Sequence, residues 1–225
     1  MLTKYGIDNI ILMLILGFVV LALSFYWNNI YISIPLKIIS IGFILFTLWF
    51  FRDPDRTVPK EANEDQYVIS PADGVLMEIE EEIEPHYING KCKRISIFLS
   101  PLDVHVNRSP VNGIVELSEY HPGEFLAAYK PKSSELNEHT RIGVKNSAGK
   151  VFFKQIVGIA ARRIVNELKP GDTVKSGDKF GMMKFGSRMD LSFPPETELL
   201  IEKGQRVVAG ETILAKIIDG GNGGS

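Results

Sequence analysis

The sequence predicts a mainly β domain that follows a hairpin of two apolar helices. Three observations lead to this fold class: two long apolar segments near the start, a series of short β-rich segments separated by turn residues, and a glycine-valine repeat late in the chain. With 225 residues, the chain can hold one ordinary domain plus an appendage. Its formal net charge of −2 argues against a nucleic-acid binder, which usually carries a basic excess.

The two apolar segments, residues 7–27 and 30–51, are separated by Asn28-Asn29, which is a turn signal. A helix needs about 20 mostly apolar residues to cross a bilayer, and each segment has this length. The pair is too long for a secretory signal peptide and lacks the polar face of a soluble helix pair. We therefore predict a transmembrane helical hairpin, in which the second helix is the weaker and shallower one because it contains Pro35 and Lys37.

Positive charges lie on the side of the hairpin where both of its ends emerge. Lys4 precedes the hairpin, and Arg52, Arg56 and Lys60 follow it. Because Lys and Arg favour the cytoplasmic side, the domain that follows is predicted at the cytoplasmic face of the cell membrane. The predicted divisions are a membrane anchor with its linker (1–60), a β domain (61–219) and a flexible glycine-rich tail (220–225).

Six segments rich in β-branched and aromatic residues predict strands, and turn pairs such as Asn89-Gly90 and Asn112-Gly113 separate them. The six segments are 67–70, 75–79, 94–99, 114–120, 141–145 and 151–157. Two others, 125–129 and 159–168, each fit a short helix. Residues 171–180 (GDTVKSGDKF) and 204–213 (GQRVVAGETI) share the pattern G-x-x-V-x-x-G. Such half-repeats predict a flattened β-sandwich or barrel resembling biotinyl and lipoyl domains.

The bond between Gly186 and Ser187 lies between the two repeats, in a predicted turn. A Gly-Ser pair alone is a weak signal, because many turns contain one. Its surroundings are more specific: the segment 184–190 (KFGSRMD) follows, in order, the segments 70–74 (SPADG) and 98–110 (FLSPLDVHVNRSP). Together these motifs resemble those of phosphatidylserine decarboxylases, in the short form that has a hydrophobic anchor before a compact catalytic domain.

The resemblance implies a chain that cuts itself between Gly186 and Ser187. The Ser187 hydroxyl would attack the Gly186 carbonyl, and elimination from the resulting ester would leave dehydroalanine, which hydrolyses to a pyruvoyl group and ammonia. A β fragment (1–186) and an α fragment would result. The covalent pyruvoyl cofactor would form a Schiff base with phosphatidylserine and accept the electrons released with CO2, giving phosphatidylethanolamine.

The resemblance also implies that His105, held by Asp73, is the base for self-cleavage and the acid that later protonates the product. Longer family members have a second histidine at the position of Arg108. Here one histidine serves both steps or another group is the cleavage base, with His121 and His139 as the alternatives.

The predicted partners are a phospholipid substrate, the membrane and the two fragments of one precursor, and a homo-oligomer is compatible with the sequence. Arg162-Arg163 is a candidate contact for the lipid phosphate. Cys92 is the only cysteine, so no disulfide is possible, and no metal site is predicted. Two alternatives stay open: the same chemistry on an ether-linked serine phospholipid, and a membrane-tethered biotinyl or lipoyl-like carrier modified at Lys184.

Overall fold

The computed structural model describes residues 1–128, 133–158, 163–184 and 187–218 and divides the chain into two compact units, Met1–Asp55 and Arg56–Ser225. The first unit contains a short 3-10 helix, Lys4–Gly6, and two long helices, α1 (Ile7–Tyr26) and α2 (Ile30–Phe50). The side chain of Asn29 begins α2 by accepting the backbone N–H of the next residue but one. Both helices are long and apolar enough to cross a membrane.

Small and polar residues line the contact between α1 and α2, while large apolar side chains face outward. Buried positions recur with a spacing of seven: Ile10, Gly17 and Ser24 in α1, and Ser33, Ser40 and Thr47 in α2. A Cβ at Gly17 would lie 2.6 Å from Ile44 Cγ1, so glycine is needed for the helices to approach. Outward-facing Leu12 and Ile38 are about two-thirds exposed, at 64% and 66%. Small residues inside and apolar residues outside are typical of membrane helices.

The second unit is mainly β, which confirms the predicted fold class. Its described helices are a 3-10 turn, Lys60–Asn63, and α3 (Ser133–Leu136). Its described strands are β1 (Tyr67–Ile69), β2 (Gly74–Glu84), β3 (Gly90–Leu99), β4 (Val106–Arg108), β5 (Gly113–His121), β6 (His139–Asn146), β7 (Gly149–Val157), β8 (Ile164–Asn166), β9 (Thr173–Val174), β10 (Lys179–Met183), β11 (Ser187–Phe193), β12 (Glu198–Leu199), β13 (Arg206–Val207) and β14 (Ile213–Lys216).

The strands form one large curled sheet and two small ones, with antiparallel neighbours. The large sheet has the order β13-β2-β3-β11-β7-β6-β5-β9, and the small sheets have the orders β1-β14-β12 and β4-β10-β8. The rings of Phe153 on β7 and Phe180 on β10 lie 5.7 Å apart, so β10 covers one face of the large sheet. The hydrophobic core lies on this face, which we call the inner face.

Strand β11 lies between β3 and β7, and all of its residues are buried. Because side chains alternate along a strand, its residues divide between the two faces. The inner face receives Ser187 together with the core residues Met189, Leu191 and Phe193. The opposite or outer face receives Arg188, Asp190 and Ser192.

The two half-repeats form equivalent turns. The glycines at positions 171, 177, 204 and 210 have φ between 77° and 96°, a left-handed conformation that favours glycine. A second pair of similar segments, Ser70-Pro71 and Ser109-Pro110, is joined reciprocally: Ile69 N donates to Pro110 O and Arg108 N donates to Pro71 O, both at 2.9 Å. The two halves of the domain therefore share these turns and this reciprocal contact.

The sequence predicted two short helices, at 125–129 and 159–168, and both predictions are wrong for the residues that the structure describes. Residues 125–128 are irregular, and Ile164–Asn166 is strand β8, which pairs with β10. Residues 129 and 159–162 lie outside the described residues, as does the predicted tail 220–225. Residues 164–166 form a strand because they pair with β10. This partner is distant in sequence, so the local pattern of residues could not predict it.

Candidate active site

Ser187 is the first residue of the central strand β11. It pairs with Leu99 on β3 and with Val157 on β7, and its side chain is fully buried. Its hydroxyl has no hydrogen-bond partner among the residues that the structure describes. Gly186, on the other side of the predicted cut, lies outside the described residues. The structure thus places a buried hydroxyl at the beginning of a strand that is held on both sides.

His105 lies beside the end of β10, the strand that leads to Ser187. Its carbonyl oxygen accepts the backbone N–H of Met183, the last residue of β10, at 3.3 Å. The imidazole is fully buried, with Nδ1 2.9 Å from the carbonyl oxygen of Asp103. Because a carbonyl only accepts, Nδ1 carries the proton of the neutral ring and Nε2 carries the lone pair. The lone pair of the His105 ring is therefore on Nε2, and the His105 backbone is bonded to Met183, four residues before Ser187.

The residue that orients this imidazole is itself fixed. The carboxylate of Asp103 accepts the backbone N–H of Ser100 at 2.8 Å and binds the guanidinium of Arg206. The turn 100–103 is thereby closed, and the Asp103 carbonyl is held towards His105. Sequence reasoning named His105 but not Asp103.

Asp73 binds an arginine and a backbone amide. Arg56 Nη2 donates to both of its carboxylate oxygens, at 3.0 and 2.8 Å, and Ala209 N donates to Oδ1 at 2.8 Å. In the other half of the domain, Asn112 Oδ1 accepts Ser176 N at 3.0 Å in the same way. Asp73 therefore has a structural role in holding a turn, and its predicted pairing with His105 stays a prediction.

Arg108, where the motif resemblance predicts a second histidine in longer chains, lies next to this turn. Its Nη1 donates to Gly177 O at 3.0 Å, and its side chain is buried. A Cβ at Gly210 would lie 2.9 Å from Arg108 Cδ and 3.7 Å from Arg56 Cβ. Glycine at 210 thus admits both arginine side chains beside Asp73.

A buried polar chain that sequence reasoning missed crosses the inner face. Thr140 Oγ1 donates to Gln155 Oε1, and Gln155 Nε2 donates to Asn107 Oδ1, both at 2.9 Å. Asn107 Nδ2 is buried and has no hydrogen-bond partner in the part of the chain that the structure describes. Asn107 is two residues from His105, so the chain extends the polar site. The only signal in the sequence was a glutamine within an apolar strand segment.

The two alternative histidines, His121 and His139, stack on each other with ring centroids 5.0 Å apart. Burial, with smaller contributions from nearby cations, lowers the pKa of His139 below its ordinary value. His139 pairs with Ile156, which in turn pairs with Arg188. This register places His139 on the outer face, away from the Ser187 side chain, so it is less suited to serve as the cleavage base.

The structure gives less support to two other predicted functional positions, the Arg162-Arg163 pair and Lys184. Arg163 is exposed, and Arg162 lies outside the described residues. Lys184, the candidate for carrier modification, is buried at 7% exposure. A carrier lysine must reach a modifying enzyme, so the buried position disfavours the carrier alternative.

Fold and site together define a mainly β protein with a buried serine and histidine at the β10–β11 connection. A family model described as phosphatidylserine decarboxylase matches residues 43–215. The chain is 52% identical over 184 residues to a phosphatidylserine decarboxylase proenzyme of Salinibacter ruber (strain DSM 13855 / M31), covering 81% of each chain. It is 42% identical over 217 residues to the protein of that name from Pelodictyon phaeoclathratiforme (strain DSM 5477 / BU-1), covering 96% of this chain and 100% of the relative. The chain belongs to the phosphatidylserine decarboxylase family.

Proposed function

We propose that the chain cuts itself between Gly186 and Ser187, and that the resulting pyruvoyl group decarboxylates phosphatidylserine to phosphatidylethanolamine and CO2. The relatives are named proenzymes, which implies activation by processing. The observation that carries the proposal is the buried Ser187 hydroxyl without a described hydrogen-bond partner. Leaving a buried polar group unsatisfied costs about 1–3 kcal/mol, so such a group calls for an explanation, and a chemical role supplies one.

In this proposal His105 acts as the base for cleavage. It takes the proton from the Ser187 hydroxyl as Oγ attacks the Gly186 carbonyl carbon, and the acyl group passes from nitrogen to oxygen. Loss of the α-proton of residue 187 then expels the Gly186 carboxylate. The dehydroalanine that remains takes up water, releases ammonia and becomes the pyruvoyl group.

The same histidine serves the decarboxylation. The pyruvoyl carbonyl supplies an acceptor for the electrons released with CO2. His105 then returns a proton to the α-carbon, a task suited to an imidazole near neutral pH. We assign Asp73 to this histidine because of the shared motifs.

The two apolar helices can anchor the chain to a membrane. We propose that they do so with the β domain on the cytoplasmic face, as the positions of Lys4, Arg52, Arg56 and Lys60 favour. A phospholipid substrate explains the anchor, because the β domain is then held at the surface where its substrate lies.

Ser187→Ala tests the proposal directly. The variant should remain a single chain and release no CO2 from vesicles that contain phosphatidylserine, because it has no hydroxyl to attack the Gly186 carbonyl. The measurements are a denaturing gel and CO2 release. Ser192→Ala is the matched control: this serine lies on the same buried strand but on the outer face, so cleavage and CO2 release should persist. Normal splitting of the Ser187→Ala chain would end the proposal.

A further inference from the structure

The outer face of β11 carries two buried charged side chains next to the predicted cut. Arg188 is 2% exposed and Asp190 is 1% exposed. Burial would raise the pKa of Asp190, but the Arg188 guanidinium, with smaller contributions from Arg94 and from the hydrogen bond to Ser134, outweighs it and holds the pKa below its ordinary value. The Asp190 carboxyl is thus held in its charged form although its side chain is almost fully buried.

Arg188 makes three hydrogen bonds that reach across three strands. Nε donates to Asp190 Oδ1 at 2.5 Å, and Nη2 donates to Ser96 Oγ on β3 at 2.8 Å and to Glu78 Oε2 on β2 at 3.1 Å. We call these four residues the Arg188 clamp. Asp190 Oδ2 also accepts Ser134 Oγ at 2.6 Å, so the clamp is fixed to α3 as well.

The predicted cut separates the members of the clamp. Glu78 and Ser96 precede the Gly186–Ser187 bond, whereas Arg188 and Asp190 follow it. Once that bond breaks, residue 187 is a chain terminus, and termini fray unless they are tied down. Reacting groups must stay within about 0.5 Å of the productive geometry. Arg188 is the residue next to the new terminus, and its hydrogen bonds to Glu78 and Ser96 tie it to the other fragment.

Stability alone gives little reason to keep this arrangement. Replacing a buried ion pair by apolar residues of similar volume is often neutral or stabilising. The side chain of Arg188 also points to the face opposite Ser187, so it does not touch the reacting atoms. Its geometry suits a positioning role: the planar guanidinium binds partners on β3 and on β2, the strand beyond β3, directly next to residue 187.

We propose that Arg188 is a positioning residue, and that its clamp holds residue 187 in place during self-cleavage and during turnover by the cut enzyme. The inference rests on the proposed function, since it assumes the cut at Ser187. A residue that only stabilised the fold would affect melting temperature, whereas a positioning residue affects the rates of the chemical steps.

Two full-length variants test the clamp. Arg188→Lys keeps the charge opposite Asp190 but loses the planar fork. The double variant Arg188→Met with Asp190→Asn removes both charges together, so no buried charge is left uncompensated. We expect each to slow splitting at least about tenfold and to lower the kcat of the cut fraction similarly with little change in KM, as for an interaction made in the transition state.

Glu81→Gln is the matched control. Glu81 lies on the same strand as Glu78 but is exposed and is not a member of the clamp, so both rates should stay within about twofold of the wild type. Melting temperatures measured alongside separate lost folding from lost positioning. Folded clamp variants that split and turn over at wild-type rates would overturn the clamp while leaving the proposed function intact. A wild-type chain that never splits would overturn both.

Discussion

Asp73 and Asn112 occupy equivalent positions in the two halves of the β domain. Each side chain accepts the backbone N–H of the residue before a left-handed glycine turn, from Ala209 in one half and from Ser176 in the other. Only Asp73 carries a charge, and only Asp73 binds Arg56. Holding the turn requires an oxygen but no charge, so the charge of Asp73 serves something other than the turn, and in this structure it pairs with Arg56.

Asp73→Asn separates the two roles. It keeps an oxygen for Ala209 N, so we expect a folded chain with at most a modest loss of melting temperature. If the Asp73 charge assists His105, splitting should slow at least about a hundredfold, the range expected when proton transfer is impaired. The measurement is the rate of appearance of the two fragments on a denaturing gel.

The reciprocal swap Asn112→Asp is the control for that substitution. It adds a carboxylate at the equivalent turn of the other half and loses the donation from Asn112 Nδ2 to Ala62 O, so the melting temperature should fall, but the folded chain should still split at the wild-type rate. His105→Gln should resemble Asp73→Asn, because it removes the proposed base. A folded Asp73→Asn chain that splits normally would leave Asp73 with its structural role alone.

Residues that act through short motifs could be found from the sequence, whereas residues that act through distant partners could not. Ser187 and His105 were located by the segments around them. The clamp of Arg188 was missed because its partners Glu78 and Ser96 lie about a hundred positions away and are brought together only by strand pairing. Asn107 and Gln155 were missed for the same reason.

At the scale of elements, the helical hairpin has the opposite distribution of residues from a soluble helix pair: small and polar residues lie inside, and large apolar residues lie outside. Its contact surface contains glycine, serine and threonine at a spacing of seven, and its outer surface carries leucine, isoleucine and phenylalanine. In water such a surface would be costly, while in lipid it matches the surroundings. Ser33 Oγ donates to Ser24 O at 2.8 Å, so a polar group at this contact is satisfied within the hairpin.

Deleting residues 1–52 tests whether the hairpin is the anchor. The β domain has its own core and sheets, so the shortened chain should fold and stay in the supernatant when vesicles containing phosphatidylserine are sedimented. The full-length chain, reconstituted into the same vesicles, should sediment with them. A shortened chain that still sediments would show that the β domain binds the membrane by itself.

The predicted strands agree with the observed ones at their centres and differ at their ends. Segment 75–79 is the beginning of β2, which extends to Glu84, and segment 94–99 is the end of β3, which begins at Gly90. The extension of β2 carries Glu80 and Glu82, which pair across the strands with Arg94 on β3. Charged residues suggest a loop in the sequence, but cross-strand ion pairs stabilise them within a sheet.

At the scale of the whole molecule, the strand order interleaves the two predicted fragments. Strand β11 lies between β3 and β7, β13 pairs with β2, and β14 pairs with β1. A cut before Ser187 therefore leaves the later fragment woven into the sheets of the earlier one. The two pieces should stay together under native conditions and separate only when the protein is unfolded.

The intact mass of the purified wild-type protein under denaturing conditions tests the central claim most directly. Self-cleavage with conversion of Ser187 predicts two species, residues 1–186 and residues 187–225. The second should be lighter, by one ammonia, than a fragment that begins with serine, and it should resist sequencing from its amino end. A single species with the mass of the uncut chain, or a second fragment that begins with an unmodified serine, would contradict the claim.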